Sequence, residues 1–186
     1  MTRALFLDRD GVINHEIGYL HRAEDVRFVD GIFALCRAAQ GLGYRLIVVT
    51  NQSGIARGLY SREDFDALTA WMMARFEEER VHLDAVYYCP YHPEHGVGEY
   101  RREHPDRKPG PGMLLRGAAA FDLDLARSIL VGDRCSDIAA ANAARLGQAF
   151  LLAGTEPEGE GEAACRGRYL AAESLAEVEA WVKQQG

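Results

Sequence analysis

The chain has 186 residues, of which 48% are hydrophobic and 26% charged, with a formal net charge of −7. That length is one ordinary domain with room for a full core, and the composition is that of a soluble globular protein. The acidic balance argues against a nucleic-acid surface, which needs a basic stripe, and no apolar run approaches the ~20 residues that span a bilayer.

Ala4 to Leu7 is a short apolar run rich in β-formers, too short for a helix, and it reads as a buried strand ending in Asp8-Arg9-Asp10-Gly11. Side chains two apart at such an end point the same way, so Asp8 and Asp10 can converge. Carboxylates that close repel unless a cation lies between them or one holds a proton. This suggests a hard divalent metal with oxygen ligands and room for a phosphate. Taken alone, Asp-x-Asp-Gly fits an Asx-rich turn equally well.

Residues 15–24 are polar, hold Gly18-Tyr19 and read as a loop over that strand end, and Val26 to Val29 is a short extended piece. Ile32, Phe33, Leu35, Cys36 and Ala39 recur at helical spacing, and Gly41-Leu42-Gly43 ends the helix. Tyr44 to Val49 is a second buried strand that runs into Thr50-Asn51-Gln52-Ser53-Gly54. Ser61-Arg62-Glu63-Asp64 has the form of a helix N-cap with an acidic first turn. Phe65, Leu68, Met72 and Phe76 follow on one face as core anchors.

Leu83 to Tyr88 is a third strand, and residues 89–112, full of His, Pro and Gly, form a loop whose unusual length marks it as a specificity element. Met113 to Phe121 is an Ala-rich helix, and Ser128 to Val131 is a fourth strand that leads to Gly132-Asp133-Arg134. Asp137 to Leu146 is a helix ended by Gly147, and Gln148 to Leu152 is a fifth strand. Residues 153–168 contain Gly-Glu repeats and read as a surface loop. Ser174 caps a last helix that buries Leu175, Val178, Trp181 and Val182.

The cysteines at 36, 89, 135 and 165 show no paired spacing and suggest no disulfide framework, so the reducing cytosol is the simplest compartment. Cys36 reads as a core thiol and Cys165 as a surface thiol; Cys135 lies near the site with nothing to mark it as activated. Asp8 interrupts any apolar signal region at the N-terminus.

Strands that alternate with helices predict a mostly parallel sheet with helices on both faces, a three-layer Rossmann-like α/β arrangement in a single domain over 1–186. Ligands bind such sheets outside the carboxyl ends of the strands. The polar groups fall there: Asp8/Asp10, Thr50/Asn51, Arg107/Lys108 and Asp133/Arg134. They suit phosphoryl transfer, in which a metal held by carboxylates neutralises a phosphate while a lysine and a hydroxyl hold its other oxygens. No Gly-x-x-x-x-Gly-Lys-Ser/Thr loop is present.

Asp8-Arg9-Asp10-Gly11, Thr50-Asn51-Gln52-Ser53-Gly54, Arg107-Lys108-Pro109 and Gly132-Asp133 resemble, in order, the four motifs of the haloacid dehalogenase-like phosphatases. The likeness runs from the first strand to about Leu152, and the chain is similar to the branch of heptose bisphosphate and histidinol-phosphate phosphatases. The resemblance implies a Mg²⁺-dependent phosphatase acting on a heptose bisphosphate, with histidinol phosphate as the alternative substrate. A catalytically inactive phospho-ligand sensor or scaffold is the alternative from another class.

The resemblance further implies Asp8 as nucleophile and Asp10 as general acid and then base. It places Mg²⁺ on Asp8, the Asp10 backbone carbonyl and Asp133, and the phosphoryl group on Thr50 and Lys108. Arg9, Glu16, Gly18, Tyr19, Asn51, Gln52, Ser53, Arg107 and Arg134 would line the substrate, and small loops rather than a substantial cap domain would set specificity. Arg107 and Arg134 favour an anionic remote group. The expected partner is a small sugar phosphate, met by a cytoplasmic monomer without nucleic-acid or membrane partners.

Members of the family commonly carry a zinc loop, Cys-x-His and then Cys-x-Cys before Arg-Lys-Pro. Here those positions are Cys89, Tyr91, His104 and Asp106, which do not make a tetrahedral thiolate site. No structural zinc is therefore expected, even with His92 and His95 nearby, and prolines, packing and hydrogen bonds must hold the loop. Asp137 reads as a helix cap, and Arg57 and Arg62 read as solvent-facing.

Overall fold

In the computed structural model, which describes residues 2–153 and 165–185, the first apolar run is the middle of the sheet. It forms β1 (Arg3–Leu7), flanked on one side by β2 (Tyr44–Asn51) and β3 (Ala85–Cys89). On the other side lie β4 (Ile129–Gly132), β5 (Gln148–Leu152) and β6 (Leu170–Ala172). All five pairings are parallel, in the order β3-β2-β1-β4-β5-β6, and Leu5 is in register with Leu46 on one flank and Ile129 on the other.

A parallel sheet of this kind must bury both faces, and the alternation along β1 shows how. Leu5 and Leu7 join the core made by α1 (Ile32–Gly41), α6 (Leu175–Lys183) and the end of α3 (Arg62–Glu78), through Ile32, Leu35, Met72, Phe76 and Val178. Ala4 and Phe6 face the other way, onto α4 (Gly112–Phe121) and α5 (Cys135–Ala143), through Met113, Leu114, Ile138 and Ala141. Strand order reverses between β1 and β4, so the crevice that binds ligands in such folds opens there. Asp8 and Asp133 are the first residues beyond those two strands.

The cap of α3 forms as its sequence predicts. Ser61 Oγ accepts from the Asp64 N–H (3.0 Å), and the Asp64 carboxylate accepts from the Ser61 N–H (2.8 Å). A cap of this type stabilises a helix by about 1 kcal/mol, and Phe65, Leu68, Met72 and Phe76 are buried below it.

Several boundaries differ from the expectation. β2 continues through Thr50 and Asn51, because both still pair with β3, at Tyr88 and Cys89. Ser53–Ala56 is one helical turn, α2, rather than a plain turn. The helix expected from Asp137 starts at Cys135 and ends at Ala143. β6 carries no strand-like run of its own, and its three residues are placed by pairing with β5. Of the surface loop expected at 153–168, residues 154–164 lie outside the described residues. No helix among the described residues is long and apolar enough to cross a membrane.

The cysteine reading is corrected. Cys135, at the start of α5, forms a disulfide with Cys165, and Cys165 is buried against the α5 side of the core rather than exposed. Their separation of 30 residues is a tertiary effect that no local spacing announces. Cys36 and Cys89 remain free and buried, and burial pushes the Cys36 thiol up to about 12. Closing a loop of this length stabilises a fold by about 3–4 kcal/mol on a chain-entropy argument. Thiol titration of the unfolded, oxidised protein should therefore find the two free cysteines, Cys36 and Cys89, and all four only after reduction. Reduction should also lower the urea midpoint; four reactive thiols before reduction would contradict the pairing.

Candidate active site

Asp8 leaves β1 with its N–H bonded to Val131 O of β4 (3.0 Å) and its Oδ1 accepting from the Arg9 N–H (2.7 Å). Lys108 approaches from the loop after β3, and its Nζ lies 3.0 Å from Asp8 Oδ2, 2.5 Å from Asp137 Oδ1 and 2.9 Å from Val49 O. Asn51, at the end of β2, clasps the Lys108 backbone on both sides. It accepts from the Lys108 N–H and donates to its carbonyl, each at 3.0 Å. Asp8 and Lys108 are only 7% and 4% exposed.

Asp137 sits in the first turn of α5, where its Oδ2 also accepts from the Arg134 N–H (3.1 Å). Carboxylate oxygens of Asp8, Asp133 and Asp137 lie within 4.8 Å of one another, the only such acidic group among the described residues. Two glycines make the approach feasible. Gly11 has φ +88°, and a Cβ there would lie 2.1 Å from Asp133 Oδ2; a Cβ on Gly132 would lie 2.2 Å from the Asp137 Cβ.

Burial drives the Asp8 carboxyl well above the usual carboxylate range; Lys108 pulls it back, while Asp137, Asp133 and Asp10 add to the upward push. Burial acts to lower the Lys108 ammonium, but Asp137 and then Asp8 outweigh it and hold the proton more firmly than usual. One ammonium among three buried carboxylates leaves an excess of negative charge, and the all-oxygen donor set fits a hard divalent cation such as Mg²⁺.

Asp10, two residues from Asp8, has a different environment. Arg9 binds its carboxylate through Nε (3.1 Å) and Nη2 (2.8 Å), Asn14 through Nδ2 (3.0 Å), and Gln52 through Nε2 (3.0 Å). Gln52 is itself fixed by donating to Thr50 Oγ1 (2.8 Å) and accepting from the Tyr60 hydroxyl (2.5 Å). Asp10 therefore stands outside the three-carboxylate group and faces the cleft with its orientation set from three sides.

A cleft of about 760 Å³ opens over these groups. It is lined by Asp8, Asp10, Glu16, Gly18, Tyr19, Thr50, Asn51, Gln52, Ser53, Arg107, Lys108 and Arg134, all named from the sequence. Asp133 lies behind its wall, fully buried. Arg9 is not on the cleft: its buried guanidinium is tied to Asp10 and to Leu20 O (3.0 Å), so it reaches the site only through Asp10. A smaller cavity of about 450 Å³, near Asn142, Arg145 and Gln148, is at the amino end of β5 and has no such acid–lysine group.

Sequence reading missed four residues of the cleft, Arg57, Tyr60, His92 and Ser136, and gave Asp137 only half its role. Asp137 both caps α5 and pairs with Lys108; its four-residue spacing from Asp133 across a helix start was the available signal. In the long loop, Tyr91 stacks on His104 (ring centroids 4.7 Å apart), Asp106 pairs with Arg116 (2.6 Å), and Arg107 donates to Tyr91 O (3.2 Å).

The chain is similar to known proteins in sequence and in structure. Residues 106–178 match the family model described as HAD-hydrolase-like. The chain is 54% identical to D-glycero-alpha-D-manno-heptose-1,7-bisphosphate 7-phosphatase of Burkholderia mallei, covering 81% of this chain and 80% of that protein. It is 48% identical to the corresponding beta-named enzyme of Vibrio cholerae, over 83% of each chain. The structure of D,D-heptose 1,7-bisphosphate phosphatase from B. bronchiseptica, complexed with magnesium and phosphate, superposes with a TM-score of 0.79 at 27% identity, covering 99% of both chains.

The electrostatics predict how metal and proton compete. The folded-state pKa of Asp8 is raised above its unfolded value, so that contribution to stability is complete below the unfolded value of about 3.9. It is lost as pH rises through the folded value in metal-free protein. Mg²⁺ supplies the missing charge, so the rise in Tm on adding it should be larger at about pH 7.5 than at about pH 5. An equal rise at both would contradict a metal seated on these carboxylates.

Proposed function

The chain belongs to the haloacid dehalogenase-like hydrolases, and from that premise we propose that it hydrolyses the 7-phosphate of D-glycero-D-manno-heptose 1,7-bisphosphate, a step towards nucleotide-activated heptose. The observation that carries the reading is Lys108 between Asp8 and Asp137, with Asp133 alongside and Asp10 separately held by Arg9.

In this reading Asp8 attacks phosphorus to form an aspartyl-phosphate, and the bond to the sugar oxygen breaks. Asp10 gives a proton to that leaving oxygen, then takes one from the water that attacks the phospho-enzyme, which frees phosphate and regenerates Asp8. Gln52, Asn14 and Arg9 keep the Asp10 carboxyl aimed at the cleft for both transfers. Lys108 and Thr50 hold phosphoryl oxygens as charge spreads over them. Asp8, Asp133 and the Asp10 backbone carbonyl would hold Mg²⁺, with Asp137 completing the acidic group. When bound, Mg²⁺ neutralises the phosphate so that an anionic nucleophile can approach it.

Asn51, Gln52 and Ser53, with the Glu16 to Tyr19 loop, line the sugar, and Arg107 and Arg134 give the rim positive charge. That charge weighs against histidinol phosphate, whose remote end carries an ammonium and an imidazole. The presence of Asp8, Asp10, Asp133 and Asp137 together at one strand edge weighs against an inactive sensor. The loop at 89–112 needs no zinc in this account, since Tyr91, His104 and Asp106 are engaged with protein partners. We place the enzyme, acting on a small sugar phosphate, in the cytoplasm, because a doubly phosphorylated sugar does not cross a bilayer. The Cys135–Cys165 disulfide runs against the rule that cytosolic thiols stay reduced, and a thiol count on protein quenched directly from cells reads the state of the pair there.

Asp10→Asn should lower kcat by about 10²–10⁴-fold with the fold intact, the usual worth of a positioned proton donor. A chelator should abolish turnover, and across a panel of phosphate esters the heptose 1,7-bisphosphate should have the highest kcat/KM. A higher value for histidinol phosphate would reject the heptose assignment, and full turnover without metal would reject the mechanism.

A further inference from the structure

Most of the cations around the cleft are already balanced by carboxylates. Lys108 has Asp8 and Asp137, Arg9 has Asp10, and Arg134 lies 3.4 Å from Glu16. Arg57 and Arg107 differ: both line the cleft, and among the described residues neither pairs with a carboxylate. Arg107 spends one N–H on Tyr91 O, whereas the Arg57 Nε is buried without a hydrogen-bond partner.

The two arginines line the same cleft. Burial lowers the Arg107 proton affinity, Cys89 and Glu103 oppose that, and Arg57 adds to the lowering. His92, on the same wall, is also held below its usual value, first by burial and then by Arg107, His95 and Arg57, with Glu94 opposing. Like charges on one cleft wall, with no carboxylate in ion-pair contact with either arginine among the described residues, form a place that an incoming anion stabilises.

Their placement is structural rather than incidental. Arg57 caps α2, and the residue before it, Ala56, accepts a backbone hydrogen bond from Val97 (2.8 Å) in the long loop that carries His92 and Arg107. From the opposite loop Tyr19 lays its ring against the Arg57 guanidinium, 5.8 Å from centroid to Cζ. One loop contact thus ties the segment that carries Arg57 to the loop that carries Arg107, and one aromatic ring packs against the head group of the first.

We propose that Arg57 is a specificity-determining residue which, together with Arg107, holds the second, non-reacting phosphate of a sugar bisphosphate. Arg134, already occupied by Glu16, contributes less. The proposal rests on the phosphatase reading of Asp8 and adds to it the place where the leaving group is recognised.

The test is the ratio of kcat/KM for a sugar bisphosphate to that for the same sugar bearing only the reacting phosphate. A ratio cancels any loss of folded enzyme. It is measured with heptose 1,7-bisphosphate against heptose 7-phosphate, and with fructose 1,6-bisphosphate against fructose 6-phosphate. A charge-assisted contact with phosphate predicts that Arg57→Gln lowers the ratio about ten- to a hundred-fold. Arg57→Lys should retain more of it, and Arg134→Gln should lower it less. The double variant Arg57→Gln/Arg107→Gln should lose less than the two single losses combined, because the arginines share one ligand. A ratio unchanged in Arg57→Gln overturns the proposal and leaves the heptose assignment standing. A wild-type preference for another sugar bisphosphate defeats the heptose assignment, and a ratio that still collapses in Arg57→Gln upholds the clamp. A wild-type enzyme that favours no bisphosphate over its monophosphate overturns both.

Discussion

An ammonium group sealed between two carboxylates is the constraint on which this structure depends. Lys108 is nearly inaccessible to solvent, and its Nζ touches Asp8, Asp137 and Val49 O at once. Taking such a charge out of water costs several kcal/mol, and only well-placed partners offset it. Losing one partner of a buried pair typically costs about 3–5 kcal/mol, so the residues around Lys108 are bound by stability as well as by chemistry. The extension of β2 to Asn51 makes sense in this light, because Asn51 fastens the Lys108 peptide from both sides. In the proposed reaction an ammonium held in place beforehand needs no reorganisation when a phosphoryl group arrives, and that is where electrostatic catalysis gains most.

The same fold gives two aspartates, two residues apart, two different environments. Asp8 is drawn into the acidic group at the reversal of strand order, in contact with Lys108 and close to Asp133 and Asp137. Asp10 is turned towards the cleft by Arg9, Asn14 and Gln52. Gly11 lies between these demands, since its positive φ turns the chain and its missing side chain leaves space for Asp133. Sheet topology brings the pieces to one edge, and the loop chemistry after β1 gives the two carboxylates the separate surroundings that the proposed attacking and proton-transferring roles require.

Much of this was legible in the sequence. The buried strand before Asp8, the capped helix after Ser61 and the polar groups at four strand ends are local patterns, and the parallel sheet follows from their alternation. What was not legible depended on contacts between distant segments. The Cys135–Cys165 disulfide joins the start of α5 to a chain segment 30 residues away. β6 exists only because β5 offers it an edge. Arg9 has the composition of a substrate ligand but is buried under Asp10. Arg57 reads as a surface arginine until a backbone hydrogen bond from Val97 to Ala56 brings the long loop beside it. Asp137 looks like a capping residue, and it is one, yet its other oxygen faces Lys108.

The central claim is that Asp8, held against Lys108, becomes covalently phosphorylated during turnover. Acid quench of the enzyme reacting with its best phosphate ester, followed by borohydride reduction and peptide mass mapping, tests it most directly. An aspartyl-phosphate is reduced to homoserine, so the account predicts homoserine at position 8 in wild-type protein and none in Asp8→Asn. Homoserine at Asp10 or Asp133, or efficient turnover by Asp8→Asn, would contradict it.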